Sequence, residues 1–198
     1  MKQMIIAITG PSGIGKTTLG DLLIKRNGFI YPTHSTTRSK RNDDESGFYK
    51  YLSHYQFKEY ATKNEFLFWS GDNIIIDSKY GNYYGILNQD YNKVSNYEKI
   101  IMYVSYKDIK NILKLNEQGY NFKILNLRYN DIEKNMYERL VSNNRNHTKK
   151  DIENRINCAI IYEEEFKQIL SLPEIYKINS DEYDIEETYK AVTKKLIR

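Results

Sequence analysis

The chain has 198 residues, with 30 Lys or Arg against 26 Asp or Glu and a formal net charge of +4; it has room for one buried core rather than two ordinary domains. So mild a charge does not mark a nucleic-acid partner, though it suits a local anion site. One cysteine, Cys158, excludes an internal disulfide, no apolar run is long enough to cross a bilayer, and MKQMIIAITGPSG lacks a secretory leader's apolar run and cleavage site, so a reducing, cytoplasmic setting without a membrane partner is expected.

In chain order the first element is a strand, Met4 to Thr9 (MIIAIT), short, rich in Ile and bounded by polar residues. It runs into GPSGIGKTT, where Gly10, Gly15, Lys16 and Thr17 meet the G-x-x-x-x-G-K-[ST] pattern, and a helical pattern follows from Lys16 to Lys25. Strand, loop and helix in that order give the motif its meaning. Glycines let successive N–H groups point inward, and the helix start adds partial positive charge. Gly10, Ser12, Gly13, Gly15, Lys16, Thr17 and Thr18 are therefore expected to cradle the phosphates of a nucleotide, ATP ahead of GTP. Lys16 reaches the β- and γ-phosphates, and the Thr17 hydroxyl ligates Mg²⁺. A guanine-reading N-K-x-D is absent, since NKVS at Asn92 fails at its last position, and the apolar run before Ser105 does not end in the aspartate of a motor ATPase. Transfer of the phosphoryl group, rather than hydrolysis, is the expected chemistry.

A second strand, Phe29 to His34, precedes a long interruption. Residues 35–92 hold polar turns, a short helix opened by Ser53 with Gln56 as a capping box, and Gly- and Tyr-rich segments, a pattern that reads as an inserted subdomain. Alternation then resumes: strand Lys99 to Val104, helix Ser105 to Glu117, strand Phe122 to Arg128 and helix Asp131 to Val141. RLVSNNRNHTKKDIENR, Arg139 to Arg155, carries five Lys or Arg against two acids without a central apolar face and reads as a mobile basic lid. A helix Asp151 to Leu170, with Cys158 as buried packing beside Ala159, a strand Glu174 to Ile178 and a helix Ile185 to Leu196 complete the chain. The order predicts an α/β fold of three layers, α/β/α, around a five-stranded parallel sheet, with ligands at the carboxyl ends of the strands. Residues 1–34, 93–138 and 156–198 form its core, 35–92 an acceptor-binding subdomain and 139–155 the lid.

STTRSKRNDDESGFYKYL (Ser35 to Leu52) resembles the signature of guanylate kinases, in which Thr-Thr-Arg is followed by a second arginine, an acid, a glycine and a Tyr-x-aromatic. The resemblance continues in NEFLFW (Asn64 to Trp69), GNYYG (Gly81 to Gly85), the lid arginines and INSDE (Ile178 to Glu182), and so covers almost the whole chain. It implies that Arg38, Arg41, Tyr49 and Tyr84 hold the acceptor's phosphate, with Tyr51 the alternative to Tyr49 because the chain is one residue short there. Planar guanidinium groups and phenolic hydroxyls suit phosphate oxygens. It also implies that Arg139, Arg145 and Arg155 neutralise charge on the phosphoryl group in transit, and that Asn179 lies near the donor adenine.

The departures fall on the base. Guanylate kinases read guanine with a serine, a glutamate and an aspartate at positions where this chain has His34, Phe68 and Ser105, and a further acid of the central strand is replaced by Tyr103. The segment SGDNIIIDSKY is longer than in the family, and Asp72 and Asp77 within it are candidate compensating carboxylates. His54 and His147 have weak claims to chemistry. The leading reading is an ATP- and Mg²⁺-dependent kinase for a small phosphomonoester, GMP or dGMP first. Two alternatives stay open: a kinase for a non-guanine acceptor, such as ribose 1,5-bisphosphate or another nucleoside monophosphate, and a non-catalytic guanylate-kinase-like binding module. The intact phosphate loop speaks against the module.

Overall fold

In β1 (Met4–Thr9) Ile6 and Ile8 enter one hydrophobic cluster while Ile5 and Ala7 enter another, so consecutive apolar residues feed both faces of a sheet. A computed structural model, which describes residues 3–40, 47–70, 81–142 and 148–197, pairs β1 in parallel with β6 (Lys99–Tyr103) on one side and β7 (Phe122–Arg128) on the other. With β8 (Ile175–Asn179) beside β7, the order is β6-β1-β7-β8. One face is covered by α1 (Lys16–Asn27), α5 (Ile132–Ser142), α6 (Lys149–Glu165) and α8 (Ile185–Val192) through Leu19, Leu23, Met136, Ile152 and Val192. The other takes Ile109 and Ile112 of α4 (Ile109–Glu117) and Leu170 of α7 (Lys167–Leu170). Three layers result.

The expected fifth strand is reduced to a bridge. Ile30 pairs in parallel with Ile100, donating to Lys99 O at 3.1 Å and accepting from Ile101 N at 2.8 Å. Two residues on, Pro32 has no N–H for a ladder, and the chain leaves the edge of β6. His34–Thr36 become β2 of a second sheet of order β3-β2-β5-β4, with β3 (Tyr49–Tyr51), β4 (Phe66–Ser70) and β5 (Tyr84–Leu87). Residues 30–36 thus join the edges of two sheets.

On the second sheet sits α2 (His54–Thr62), whose start is a capping box in which Ser53 and Gln56 satisfy each other's backbone N–H. Its Phe57 packs with Leu52, Phe66, Tyr83 and Leu87, while Phe68 and Ile86 join the cluster of Ile5 and Ile100 in the main core. The β4–β5 register shifts between Phe66 and Phe68, and the two rings serve different clusters. A short α3 (Asn88–Asn92) leads back to β6. The expected helix to Leu170 is two helices, because the chain breaks at Phe166; α6 begins at Lys149, capped by Thr148 with Asp151. Among the described residues no helix is long and apolar enough to cross a membrane.

Candidate active site

Between β1 and α1 the loop turns through Gly10, Gly13 and Gly15 at φ of 143°, 81° and 102°, values that L side chains rarely adopt. A Cβ on Gly10 would also collide with the carbonyl of Leu127 on β7, so the loop closes against the sheet only without a side chain. Gly15 caps α1 from the left-handed region with no side-chain hydrogen bond, leaving the first amides of the helix to an anion. Lys16 folds back over the loop, its Nζ donating to Gly10 O and Pro11 O, both at 2.7 Å. Desolvation of that ammonium lowers its pKa to about 8. Thr17 and Thr18 are exposed on the first turn of α1. Among the described residues no group of three His, Cys, Asp or Glu could hold a metal ion.

Two of the arginines expected in a lid reach the loop from α5 and α6. Arg139 Nη1 donates to Ile14 O at 2.8 Å, and Arg155 Nη1 donates to Ser12 Oγ at 2.9 Å. Three cations thus converge on one short loop from three helices. Arg145, Arg41, Asp72, Asp77 and His147 lie outside the described residues.

Beside the loop lies a cavity of about 490 Å³, the scale of a small-molecule site, whose wall includes Lys16, Arg38, Tyr49, Tyr84 and Arg155. The second sheet supplies the middle three. Arg38, 7% exposed, follows β2 and is held on three sides: its N donates to Thr36 Oγ1, its Nη1 donates to Ser39 O at 2.9 Å, and its guanidinium lies 4.6 Å from the Tyr49 ring centre. Tyr51 also flanks the guanidinium, at 5.8 Å, but only Tyr49 of the two lines the cavity, which favours Tyr49 for a ligand contact.

The residues expected to face a base behave differently. His34 lines the cavity, yet its ring is spent on the protein: Nδ1 donates to Pro32 O at 3.0 Å, Nε2 accepts from Tyr103 N at 3.2 Å, and the ring stacks on Phe48 at 4.9 Å. Those bonds fix one neutral tautomer, and desolvation lowers the pKa to about 4. His34 therefore ties β2 to the end of β6 and offers no ring nitrogen to a ligand. The Ser105 hydroxyl accepts from Lys107 N at 3.2 Å and caps a short 3₁₀ turn, Tyr106–Asp108. Phe68 is 5% exposed, forms part of the cavity wall and meets Phe122 edge to face.

Three further wall residues lie outside the expected site residues. Tyr103 lies beside His34, and its hydroxyl fills the space that a Cβ on Gly20 of α1 would need. Cys158, expected in the core, is exposed on α6 and lines the cavity, because it falls on the helix face of Asn154 and Tyr162, whereas Ile156 is buried in the core. Asp108, 2% exposed, also lines it and accepts from Ser105 N through Oδ2 at 2.8 Å. Its signal was present in the spacing, since Ser-x-x-Asp before an apolar run is a capping box.

A second cavity of about 370 Å³ lies on the far side of Arg139, lined by Tyr129, Asn135 and residues 180–184. Asn179 stands at its margin and not in its wall, with its Nδ2 donating to Glu182 Oε1 at 2.8 Å. Asn130 bonds the same carboxylate, and the two amides hold Glu182 below the usual carboxylate range. His54, half-buried at the start of α2, lies with Nε2 3.2 Å from Gly81 O and lines neither cavity.

The family model described as guanylate kinase matches residues 1–197. The guanylate kinase of Carboxydothermus hydrogenoformans is 30% identical over 121 residues, 60% of this chain and 56% of that protein. That of Clostridium tetani is 36% identical over 85 residues, covering 42% and 38%. The matched segments thus span about half the length of these relatives. A solved guanylate kinase from Anaplasma phagocytophilum superposes with a TM-score of 0.67 over 99% of this chain and 85% of that one, at 15% identity, a likeness of fold.

Proposed function

Because the chain belongs to the guanylate kinase family, we propose that it is an ATP-dependent kinase that transfers the γ-phosphoryl group to a small phosphomonoester, GMP or dGMP first. The observation that carries this reading is the meeting of Lys16 and Arg155 with Arg38, Tyr49 and Tyr84 in the wall of one cavity. The loop amides and Lys16 hold the donor's phosphates, and Arg38, Tyr49 and Tyr84 hold the acceptor's, so the two reacting groups approach across Lys16. Arg139 and Arg155 contact the loop and take up charge as the phosphoryl group moves. Residues 35–92 act as the acceptor-binding subdomain and 139–155 as the lid that excludes water.

The donor set fits magnesium carried by the nucleotide. Thr17 gives one hydroxyl, and Mg²⁺ ordinarily keeps several waters and binds phosphates rather than an all-protein cage. When bound it would neutralise phosphate charge beside Lys16. ADP release should be measured with ATP and magnesium against GMP, dGMP, AMP, CMP, UMP, dTMP and ribose 1,5-bisphosphate, with a Lys16→Ala control. Turnover of GMP or dGMP above the rest is expected; silence across the panel would sink the kinase reading, and preference for another acceptor would displace GMP.

A further inference from the structure

Where the two sheets join, the backbone ladder has a side chain inserted in it. At the bridge between Ile30 and Ile100, Ile101 N donates to Ile30 O at 2.8 Å. In a parallel ladder the next such bond runs two residues on, from Tyr103 N to Pro32 O. Tyr103 N donates instead to His34 Nε2 at 3.2 Å, and His34 Nδ1 donates to Pro32 O at 3.0 Å, so the imidazole stands between the two groups that would otherwise meet. A backbone N–H only donates, which makes Nε2 the acceptor and Nδ1 the protonated nitrogen. One ring and two hydrogen bonds hold open a gap that a single bond of about 3 Å would close. We propose that His34 is a positioning residue whose ring is the spacer that sets how far the acceptor-binding sheet stands from the phosphate loop, a role that rests on the kinase reading above.

Both ends of the spacer lead to the cations of the cavity. On one side His34 is the register partner of Tyr49, whose ring lies 6.3 Å from the imidazole and 4.6 Å from the Arg38 guanidinium. The imidazole also stacks on Phe48, 7° from parallel, and His34 N donates to Phe48 O at 2.9 Å, so the ring and the chain around β3 move together. On the other side the Tyr103 ring lies 5.9 Å away, and its hydroxyl packs against Gly20, one turn of α1 beyond Lys16. Arg38 and Lys16 line one cavity and are spaced through His34 by packed rings. Such spacing bears on rate, because misplacing reacting groups by about 1 Å costs up to about 100-fold. Without the ring, Pro32 O and Tyr103 N–H either bond directly or take up water, and the sheet loses its stop.

The test measures kcat at saturating ATP and GMP, KM for ATP and thermal unfolding in the wild type, His34→Gln and His34→Ala. Glutamine keeps an oxygen for Tyr103 N–H, and alanine keeps no partner for either group. The alanine variant should lose about 10-fold in kcat with KM for ATP within about 2-fold, and the glutamine variant should stay within about 3-fold of the wild type. A residue that only stabilised the fold would leave kcat unchanged once corrected for folded protein, and that result in both variants would overturn the assignment. An equal loss in both would overturn it too, since the retained acceptor would then count for nothing. Should the alanine variant not fold, nitrogen NMR of the wild type decides: a neutral ring protonated at Nδ1 and a Tyr103 amide protected from exchange are expected, and an Nε2-protonated ring or an unprotected amide would overturn the spacer. Failure of the folded wild type across the acceptor panel above would remove the kinase reading instead, and the NMR signature would still decide whether the spacer exists.

Discussion

The phosphate loop and the cavity beside it meet at Lys16, yet they are made of different materials. The loop is main chain: three glycines at positive φ, a helix start without a side-chain cap, and one lysine from a single run of residues. The cavity is lined mainly by side chains, gathered from β2, β3, β4, β5, β6 and the turn after it, and α6. A site built of backbone tolerates almost no change, because Gly10 lies where any Cβ meets Leu127 O. A site built of side chains is revised one residue at a time, and several of its polar groups have been turned inward to serve the protein, His34 and Ser105 among them.

The sharpest way to break that comparison is Lys16→Met. It should cut kcat by about 10³-fold or more, as loss of a preorganised charge at the transferring group does. Folding should not suffer. Desolvation depresses the Lys16 pKa to about 8, so at neutral pH the ammonium stays charged but is held less favourably in the fold than in the unfolded chain, and the methionine variant should unfold at the same temperature or a higher one. A fall in melting temperature would show that the two carbonyl bonds of Lys16 outweigh its desolvation.

Next in size is Arg38→Ala. Removing one partner of a buried charged contact costs roughly 2–5 kcal/mol, so the acceptor KM should rise about 100-fold while the ATP KM stays within about 3-fold. Arg38→Lys should recover little, since stacking on Tyr49 and the bond to Ser39 O use the planar fork. Equal effects on both substrates would mean that the two sites are not separable in the way their materials suggest.

His34 gives the smallest effect and the clearest sign. Its folded pKa, about 4, lies below the unfolded value near 6.5, so the folded state takes up fewer protons between them. The stability it contributes is complete above pH 6.5 and falls as pH drops toward 4. From pH 7 to pH 5 the loss is roughly 2 kcal/mol, at about 1.4 kcal/mol per pH unit. His34→Gln should flatten that part of a stability profile followed by urea unfolding, and a slope unchanged in the variant would assign it elsewhere.

The same difference in materials decided what was legible in the sequence. Met4–Thr9 and Phe122–Arg128 stand at the bounds that their apolar runs indicate, and the Ser53 capping box forms as the spacing requires. Contiguous signals of this kind are local and survive without tertiary knowledge. The second strand failed because Pro32 divides it between two sheets, a choice made by pairing partners far away in sequence. Cys158 was misplaced since the phase of a helix is set by what packs against it. Asp108 escaped because a capping aspartate has a sufficient local reason to exist, and nothing local says that the residue also borders a cavity.

Gly20 and Tyr103 form a matched lock, with the tyrosine hydroxyl occupying the volume any larger residue at 20 would claim. The two positions are therefore coupled. A smaller residue at position 103 would leave a hole against α1, and a side chain at position 20 would have to displace a ring that also neighbours His34 and Phe48. Engineering that seeks to open this corner will have to change both residues together.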